Sequence, residues 1–251
     1  MTDAPSGERL VLHGMSSPNV TKVVLMLEEC GLDYELRHVA VFNQEQFTPE
    51  FLALNPLAKV PVLEDPLLPG QPLAESGAIL FWLAEREGKF LPSAAGPRAE
   101  TMQWVMHQMA NYGPMLGQLN HFTMALQAGS EPYATARYRA QAERLYRLLD
   151  DRLASREWLA GGAYSIADMA MHPWAFYLEQ HQFDPADHPA MVAWRTRIAE
   201  RPAVQRAQAR IAEAFHAKIG ASMEKASRED YERFYGIDEG MPPAKLARVP
   251  D

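Results

Sequence analysis

The sequence predicts an α/β domain followed by an all-helical domain. Between residues 10 and 88, strand-like apolar runs alternate with helical patterns in the order strand, helix, strand, short helix, β-hairpin and helix. A strand–helix–strand unit implies a parallel pair of strands joined by a crossover, and the hairpin adds antiparallel strands. Residues 91–97 contain two prolines and a glycine, which is typical of a linker, and only helical patterns follow them.

The composition is that of an acidic globular protein. Its 251 residues suit two small domains, 47% of them are hydrophobic, and the net charge is -8. Because the charge is negative and there is no basic run, we expect no nucleic-acid partner. Residues 1–8 lack the features of a signal peptide, and no run of about 18 apolar residues predicts a membrane span. The single cysteine, Cys30, fits the reducing cytoplasm, which is the location we expect.

A candidate site begins in the turn at residues 15–22. This turn lies between the strand-like run at residues 10–12 and a helical pattern that Gly31 ends. The first backbone N–H groups of a helix have no internal partner, and the helix dipole favours negative charge there. Ser17 and Asn19 add side-chain donors, so the turn suits an anion. A plain helix cap formed by Ser17 or Asn19 is the alternative.

Two further motifs of the first domain suit a peptide-like ligand. Lys59-Val60-Pro61 precedes a strand, and a cis bond at Pro61 would turn the backbone of Val60 outward; a trans proline is the alternative. Glu75 and Ser76 stand at another helix start, where Ser76 is the expected N-cap. The serine suits a carboxylate and the glutamate an ammonium group, so the pair suits an α-amino acid end. A capped helix with a favourable acid is the alternative.

The second domain is predicted to be helical throughout. The predicted helices span residues 98–127, 132–155, 165–180 and 188–200, with another after residue 202. Gly113-Pro114 should kink the first helix, and Ser165 with Asp168 should form a capping box. Residues 101–130 carry no charged side chain, so we expect this helix to be covered by its own domain, a ligand cleft and another subunit.

The chain ends in a mostly polar segment. Tyr231, Phe234 and Tyr235 share one helical face there and are predicted to pack over the helical domain. Residues from 241 onward are expected to be extended and loosely held. The resulting limits are an α/β domain at residues 1–90, a helical domain at 98–220 and a C-terminal extension at 221–251.

These motifs, in this order and spacing, resemble those of the cytosolic glutathione transferases. Lys59-Val60-Pro61 and Glu75-Ser76-Gly77-Ala78 match glutathione-site motifs of the family, and residues 165–168 match its helix-capping motif. Within the family the chain is similar to the bacterial nu class, whose members are related to the yeast prion-forming nitrogen regulator. The stretches that carry the finer likeness are residues 17–19, 46–51, 103–104, 113–118 and 120–122.

The resemblance implies a thioredoxin-like first domain, an all-helical second domain and a homodimer. It also implies glutathione as cosubstrate, with its thiol near Ser17 and Asn19 as the catalytic residues. Arg137 would reach the glutathione of the neighbouring subunit; a solvated helix charge is the alternative. The residues that would bind the tripeptide are Gln46, Lys59, Val60, Pro61, Glu75, Ser76 and Arg137.

A second-substrate pocket is predicted from residues at helical spacing and from the neighbours of the thiol turn. The candidates are Met15, Ser16, Gln108, Asn111, Tyr112 and Met115. Core and dimer contacts explain the helical candidates equally well, and Ser16 is an alternative to Ser17 as the thiol partner. The eight histidines lack compact ligand spacing, so no metal is expected.

The predicted reaction is thiol–disulfide exchange, with weaker transfer to electrophiles or peroxides. The alternatives are a dedicated conjugating, ether-cleaving or dehalogenating transferase, and a non-catalytic glutathione- or ligand-binding regulator. Cys30 should lie about 15 Å from the thiol turn, near the negative end of its helix, and is expected to be a buried structural thiol. Glutathione must then supply both sulfur atoms of the exchange.

Overall fold

The computed structural model describes residues 9–126 and 129–237. Two compact units contain these residues. The first comprises residues 9–89 and 202–236, and the second comprises residues 90–126 and 129–201 with Ile237. The segment from residue 241 onward, which is predicted to be extended, lies outside the described residues.

The first unit contains a mixed sheet. Its four strands are β1 (Leu10–Gly14), β2 (Tyr34–His38), β3 (Val62–Glu64) and β4 (Leu73–Ala74). The order across the sheet is β2-β1-β3-β4, with β1 parallel to β2 and antiparallel to β3. β4 pairs antiparallel with β3. This is the sheet that the predicted strand–helix–strand unit and hairpin require.

Three helices accompany the sheet at the positions expected from the sequence. They are α1 (Pro18–Cys30), α2 (Pro49–Leu54) and α3 (Ser76–Glu87). The valines and leucines of α1 and the leucines of α3 are buried with the central strands, and they form the core of this unit. Gly31 ends α1 with a left-handed φ of 70°, which a residue with a Cβ rarely adopts. Between β2 and α2 the chain forms two 3₁₀ turns, Val41–Asn43 and Glu45–Phe47.

The second unit is helical, as predicted. Its helices are α4 (Ala95–His107), α5 (Gly113–Asn120), α6 (Pro132–Leu153), α7 (Ile166–Ala175) and α8 (Pro189–Ala199). A π-helical turn, Gln108–Tyr112, joins α4 to α5 at the place where the kink is predicted. Pro114 has no backbone N–H to donate to the preceding turn, which is consistent with this irregularity. No helix among the described residues is long and apolar enough to cross a membrane.

The predicted capping box at the start of α7 is present. The side chain of Ser165 accepts a hydrogen bond from the backbone of α7, and the Asp168 carboxylate accepts one from the Ser165 N–H. Asp168 is fully buried and also accepts hydrogen bonds from the Leu159 N–H at 3.0 Å and the Trp194 indole at 2.9 Å. One carboxylate therefore ties α7 to the preceding loop and to α8.

The helices after residue 201 belong to the first unit, which differs from the predicted domain limits. They are α9 (Pro202–Ile211), α10 (Ala217–Lys225) and α11 (Arg228–Phe234), with a π-helical turn at Ala212–His216. Arg206 on α9 donates a hydrogen bond to the nearly buried Glu28 carboxylate of α1 at 3.0 Å. A carboxylate removed from water needs a charged or hydrogen-bonding partner, so the contact between Glu28 and Arg206 holds α9 on the α/β unit.

The aromatic residues of the last helix pack elsewhere than predicted. Tyr231 and Phe234 contact Phe42, with ring centroids 5.7 and 4.7 Å apart. The prediction that they cover the helical domain is therefore wrong: they cover the 3₁₀ turns of the first unit.

Candidate active site

The turn after β1 brings the start of α1 close to the end of that strand. A Cβ on Gly14 would lie 2.8 Å from a Val20 methyl group, so only glycine permits this approach. Ser17 is the N-cap of α1, and its hydroxyl oxygen accepts a hydrogen bond from the Val20 N–H at 3.4 Å. The same hydroxyl can donate its own proton, because the cap uses only the oxygen.

Asn19 is oriented by a buried lysine. Lys22, which is 1% exposed, donates a hydrogen bond from its ammonium group to Asn19 Oδ1 at 2.8 Å. Since an ammonium group only donates, it fixes the amide so that the oxygen faces the lysine and the NH₂ group lies on the far side. The amide of Asn19 is therefore held as a directed donor in the first turn of α1.

The same lysine contacts the start of α3. Its ammonium group donates to the Ser76 hydroxyl oxygen at 3.3 Å. Ser76 is the first residue of α3 rather than its N-cap, which is Glu75, so the predicted cap is shifted by one residue. Lys22 thereby joins two helix N-termini, and both of them favour negative charge.

Burial strongly perturbs this lysine. Desolvation lowers the pKa of Lys22 from 10.5 to about 7, and the negative charge of Glu75 opposes part of that effect. Glu75 itself has a φ of 67°, a strained conformation for a residue with a side chain. Strain of this kind is frequent at ligand sites. The exposed Glu75 precedes the buried Ser76 directly in the chain.

The loop before β3 is held by a side chain that the sequence analysis does not identify. The buried Asn55 donates a hydrogen bond to the Lys59 carbonyl oxygen at 2.8 Å and accepts one from the Leu57 N–H at 3.1 Å. The Val60–Pro61 bond is cis, which is the first of the two possibilities considered from the sequence. Lys59 is exposed.

Gln46 lies in the second 3₁₀ turn. Its side chain is 3% exposed, and its Oε1 atom is buried with no hydrogen-bond partner among the described residues. A buried amide oxygen without a donor is costly, so this atom suits an N–H group of a ligand.

The structure separates the candidates for the second-substrate pocket. Met15 and Ser16 precede Ser17 and are partly exposed. In the helical unit, Asn111 is exposed and Met115 is partly exposed. Gln108 and Tyr112 lie, like Asn111, in the π-helical turn between α4 and α5.

Gln108 and Tyr112 are both 0% exposed. The Tyr112 hydroxyl lies 3.9 Å from the Met191 sulfur, and its ring packs against Tyr146. The prediction that these two residues line a pocket needs correction, because both side chains are enclosed in the core of the helical unit.

Arg137 and Cys30 are two further residues with a role predicted from the sequence. Arg137 is exposed on α6. Cys30 is the last residue of α1 and is partly exposed rather than buried as expected, and the partial burial of its thiol is the largest cause that raises its pKa, to about 11. Its thiol is therefore protonated at neutral pH and is a poor nucleophile.

Residues 9–126 and 129–237 contain no group of three or more His, Cys, Asp or Glu side chains that could hold a metal ion.

The role of Lys22 is not predicted from the sequence, although the residue lies in the predicted turn. The available signal is its position between Thr21 and Val23, in a helix whose following positions are almost all apolar. A single lysine in such a run is buried only when polar partners satisfy it. Here those partners include Asn19 and Ser76.

Two family models match the chain. The N-terminal domain of the glutathione S-transferases matches residues 9–85, and their C-terminal domain matches residues 112–202. The disulfide-bond oxidoreductase YfcG of Escherichia coli is 44% identical over 200 residues, which are 78% of this chain and 93% of that protein.

Solved structures agree with this assignment. A glutathione transferase of Burkholderia graminis, with two glutathione molecules bound per subunit, is 42% identical with a TM-score of 0.75, covering 81% of this chain and 89% of its own. A glutathione transferase of Pseudomonas putida, with one glutathione disulfide bound per subunit, is 38% identical with a TM-score of 0.74, covering 81% and 92%. The chain belongs to the glutathione S-transferase family.

Proposed function

We propose that this protein activates the thiol of glutathione, chiefly for thiol–disulfide exchange, with weaker conjugation or peroxide reduction. The observation that carries the proposal is the start of α1, where Ser17 caps the helix and the Lys22 ammonium group fixes the Asn19 amide. The reactive form of a thiol is the thiolate, and a helix N-terminus with directed donors stabilises it.

The other residues of the first unit suit the remainder of the tripeptide. Ser76, at the start of α3, would bind the α-carboxylate, and Glu75 would bind the neighbouring ammonium group. Val60 would pair through its backbone with a peptide group, with Pro61 shaping that loop and Lys59 at its exposed edge.

Gln46 completes this set. Its unpartnered Oε1 atom would accept a hydrogen bond from a ligand N–H group, which relieves the cost of leaving a buried acceptor unsatisfied. Met15 and Ser16, which adjoin the thiol turn and are partly exposed, are proposed to contact the second substrate.

Two glutathione molecules supply the two electrons that reduce the substrate disulfide. One thiolate attacks the substrate disulfide, forms a mixed disulfide and releases a thiolate, which takes up a proton. A second glutathione thiolate then attacks the mixed disulfide and releases the second substrate thiol, so that glutathione is oxidised and the substrate reduced. Cys30 is unsuited to either attack because burial raises its pKa to about 11.

We also propose a homodimer. The charge-free stretch at residues 101–130 exposes Met102, Met106 and Met124. Exposed methionines in a stretch that contains no Asp, Glu, Lys or Arg suit coverage by a second copy of the chain. In that dimer the exposed Arg137 would contact the carboxylates of glutathione on the partner subunit.

Turnover measurements test the proposal. The purified protein is assayed for glutathione-dependent conversion of a small disulfide, an aryl halide, a hydroperoxide and an aryl ether. We expect the disulfide to give the highest kcat/KM. Preference for the halide or ether would indicate a dedicated transferase, and binding of glutathione without any turnover would indicate a regulator; either result contradicts the proposal.

A further inference from the structure

The two last helices, α10 and α11, cover the turn segment of residues 41–47, which carries Gln46. We call these helices, at residues 217–234, the strap. The strap lies beyond residue 202, where the matched C-terminal family domain ends. Its contacts with the turn segment are both polar and aromatic.

The polar contacts hold two consecutive residues of the turn segment. Asn43 donates a hydrogen bond from its amide to the Ser222 carbonyl oxygen at 3.1 Å and accepts one from the Ser222 hydroxyl at 2.7 Å. Gln44 donates from its amide to the Asp230 carbonyl oxygen at 2.8 Å. Because the acceptor of Gln44 is a backbone carbonyl, this bond depends on the position of α11 rather than on one side chain.

The aromatic contacts flank the polar ones. Phe42, which is nearly buried, packs against Tyr231 and Phe234, the latter at 4.7 Å between ring centroids. At the other end of the turn segment, the Arg233 guanidinium lies 4.6 Å from the centre of the Phe47 ring. The strap thus contacts the residues on both sides of Gln46.

The turn segment needs such support. It consists of two short 3₁₀ turns, whose hydrogen-bond geometry is poorer than that of an α-helix. Between them, Gln44 has a φ of 67°, a left-handed conformation that is unfavourable for a residue with a side chain. Without external contacts, ordering this segment on ligand binding would reduce affinity.

We propose that the strap positions Gln46 for glutathione by holding the turn segment in its binding conformation. The inference rests on the proposed function, since it assigns Gln46 to glutathione. The strap residues act through Gln46 and are positioning residues. They should therefore affect the binding of glutathione and leave the chemical step unchanged.

The test compares Phe234→Ala and Ser222→Ala with the parent protein. Glu224→Ala is the matched control, because Glu224 is an exposed residue of α10. Phe234→Tyr retains the ring and should behave as the parent does. Three quantities are measured for each full-length protein: amide hydrogen exchange of residues 41–47, the Kd for glutathione, and kcat at saturating glutathione.

We expect Phe234→Ala to raise the Kd for glutathione roughly three- to tenfold, the ratio that corresponds to loss of an aromatic contact. Exchange in residues 41–47 should become faster and kcat should stay unchanged. An unchanged Kd in Phe234→Ala overturns the inference alone, whatever the exchange rates. A parent protein that does not bind glutathione overturns the proposed function and this inference with it.

Discussion

Replacing Lys22 with methionine tests how the thiol site is organised. The change keeps a long apolar stem and removes the ammonium group that donates to Asn19 Oδ1 at 2.8 Å and to the Ser76 hydroxyl at 3.3 Å. The Asn19 amide then loses the contact that fixes its orientation. We expect the thiolate to lose a directed donor, while Ser17 and the helix N-terminus remain.

The size of the effect follows from the bond that is lost. A hydrogen bond to a charged group contributes about 1.5–3 kcal/mol, so kcat/KM for glutathione should fall roughly ten- to one-hundredfold in Lys22→Met. Lys22→Arg keeps the charge and a donor and should retain more activity. The assay is steady-state disulfide reduction at one fixed pH below 7, where Lys22 keeps its proton although burial lowers its pKa to about 7. An unchanged kcat/KM in Lys22→Met would show that the lysine does not orient the catalytic amide.

Lys22→Met should also change how the free energy of unfolding depends on pH. Burial lowers the pKa of Lys22 from 10.5 to about 7, so between these pH values the unfolded chain binds more protons than the native protein. The free energy of unfolding of the parent should therefore rise relative to that of Lys22→Met as the pH increases from 7 towards 10.5. Denaturant unfolding of both proteins across this range measures the difference, and a parallel pH dependence would contradict a desolvated lysine.

Three further predictions concern groups outside this turn. Cys30→Ala should keep the parent's disulfide-reductase turnover, because burial raises the pKa of that thiol to about 11; loss of turnover in a folded variant that binds glutathione would implicate the protein thiol. Asp168→Ala should lower the free energy of unfolding by more than about 2 kcal/mol in chemical denaturation, because it leaves the buried Leu159 N–H and Trp194 indole without their acceptor; unaltered stability would refute this. Arg137→Ala should raise the KM for glutathione in the proposed dimer, and a glutathione complex with Arg137 directed to solvent would refute the proposed contact across subunits.

Much of the first unit follows from local sequence signals. The start of α1 is predictable because Ser17 suits the N-cap and Pro18 suits the first helical position. Its end is predictable because Gly31 adopts the left-handed conformation that α1 needs there. These signals are local, since each depends on residues within one turn of the helix end.

The features that sequence analysis did not identify depend on contacts between distant residues. The burial of Lys22 requires a partner 54 positions away, Ser76, and no local pattern reports that pairing. Tyr112 has the spacing of a residue that could line a cleft, yet the neighbours that enclose it, such as Met191, come from another helix. Phe234 is recognisable as part of an aromatic face, but its spacing does not reveal that the face meets Phe42.

The central claim is that the start of α1 converts bound glutathione to its thiolate. The most direct measurement is the pKa of the bound glutathione thiol, followed through the ultraviolet absorption of the thiolate as pH is varied. We expect a pKa below that of free glutathione in the parent protein, and a value closer to that of free glutathione in Asn19→Ala than in Ser17→Ala, because Lys22 fixes the Asn19 amide as a donor. Bound glutathione that titrates in the parent as it does free in solution would contradict the account.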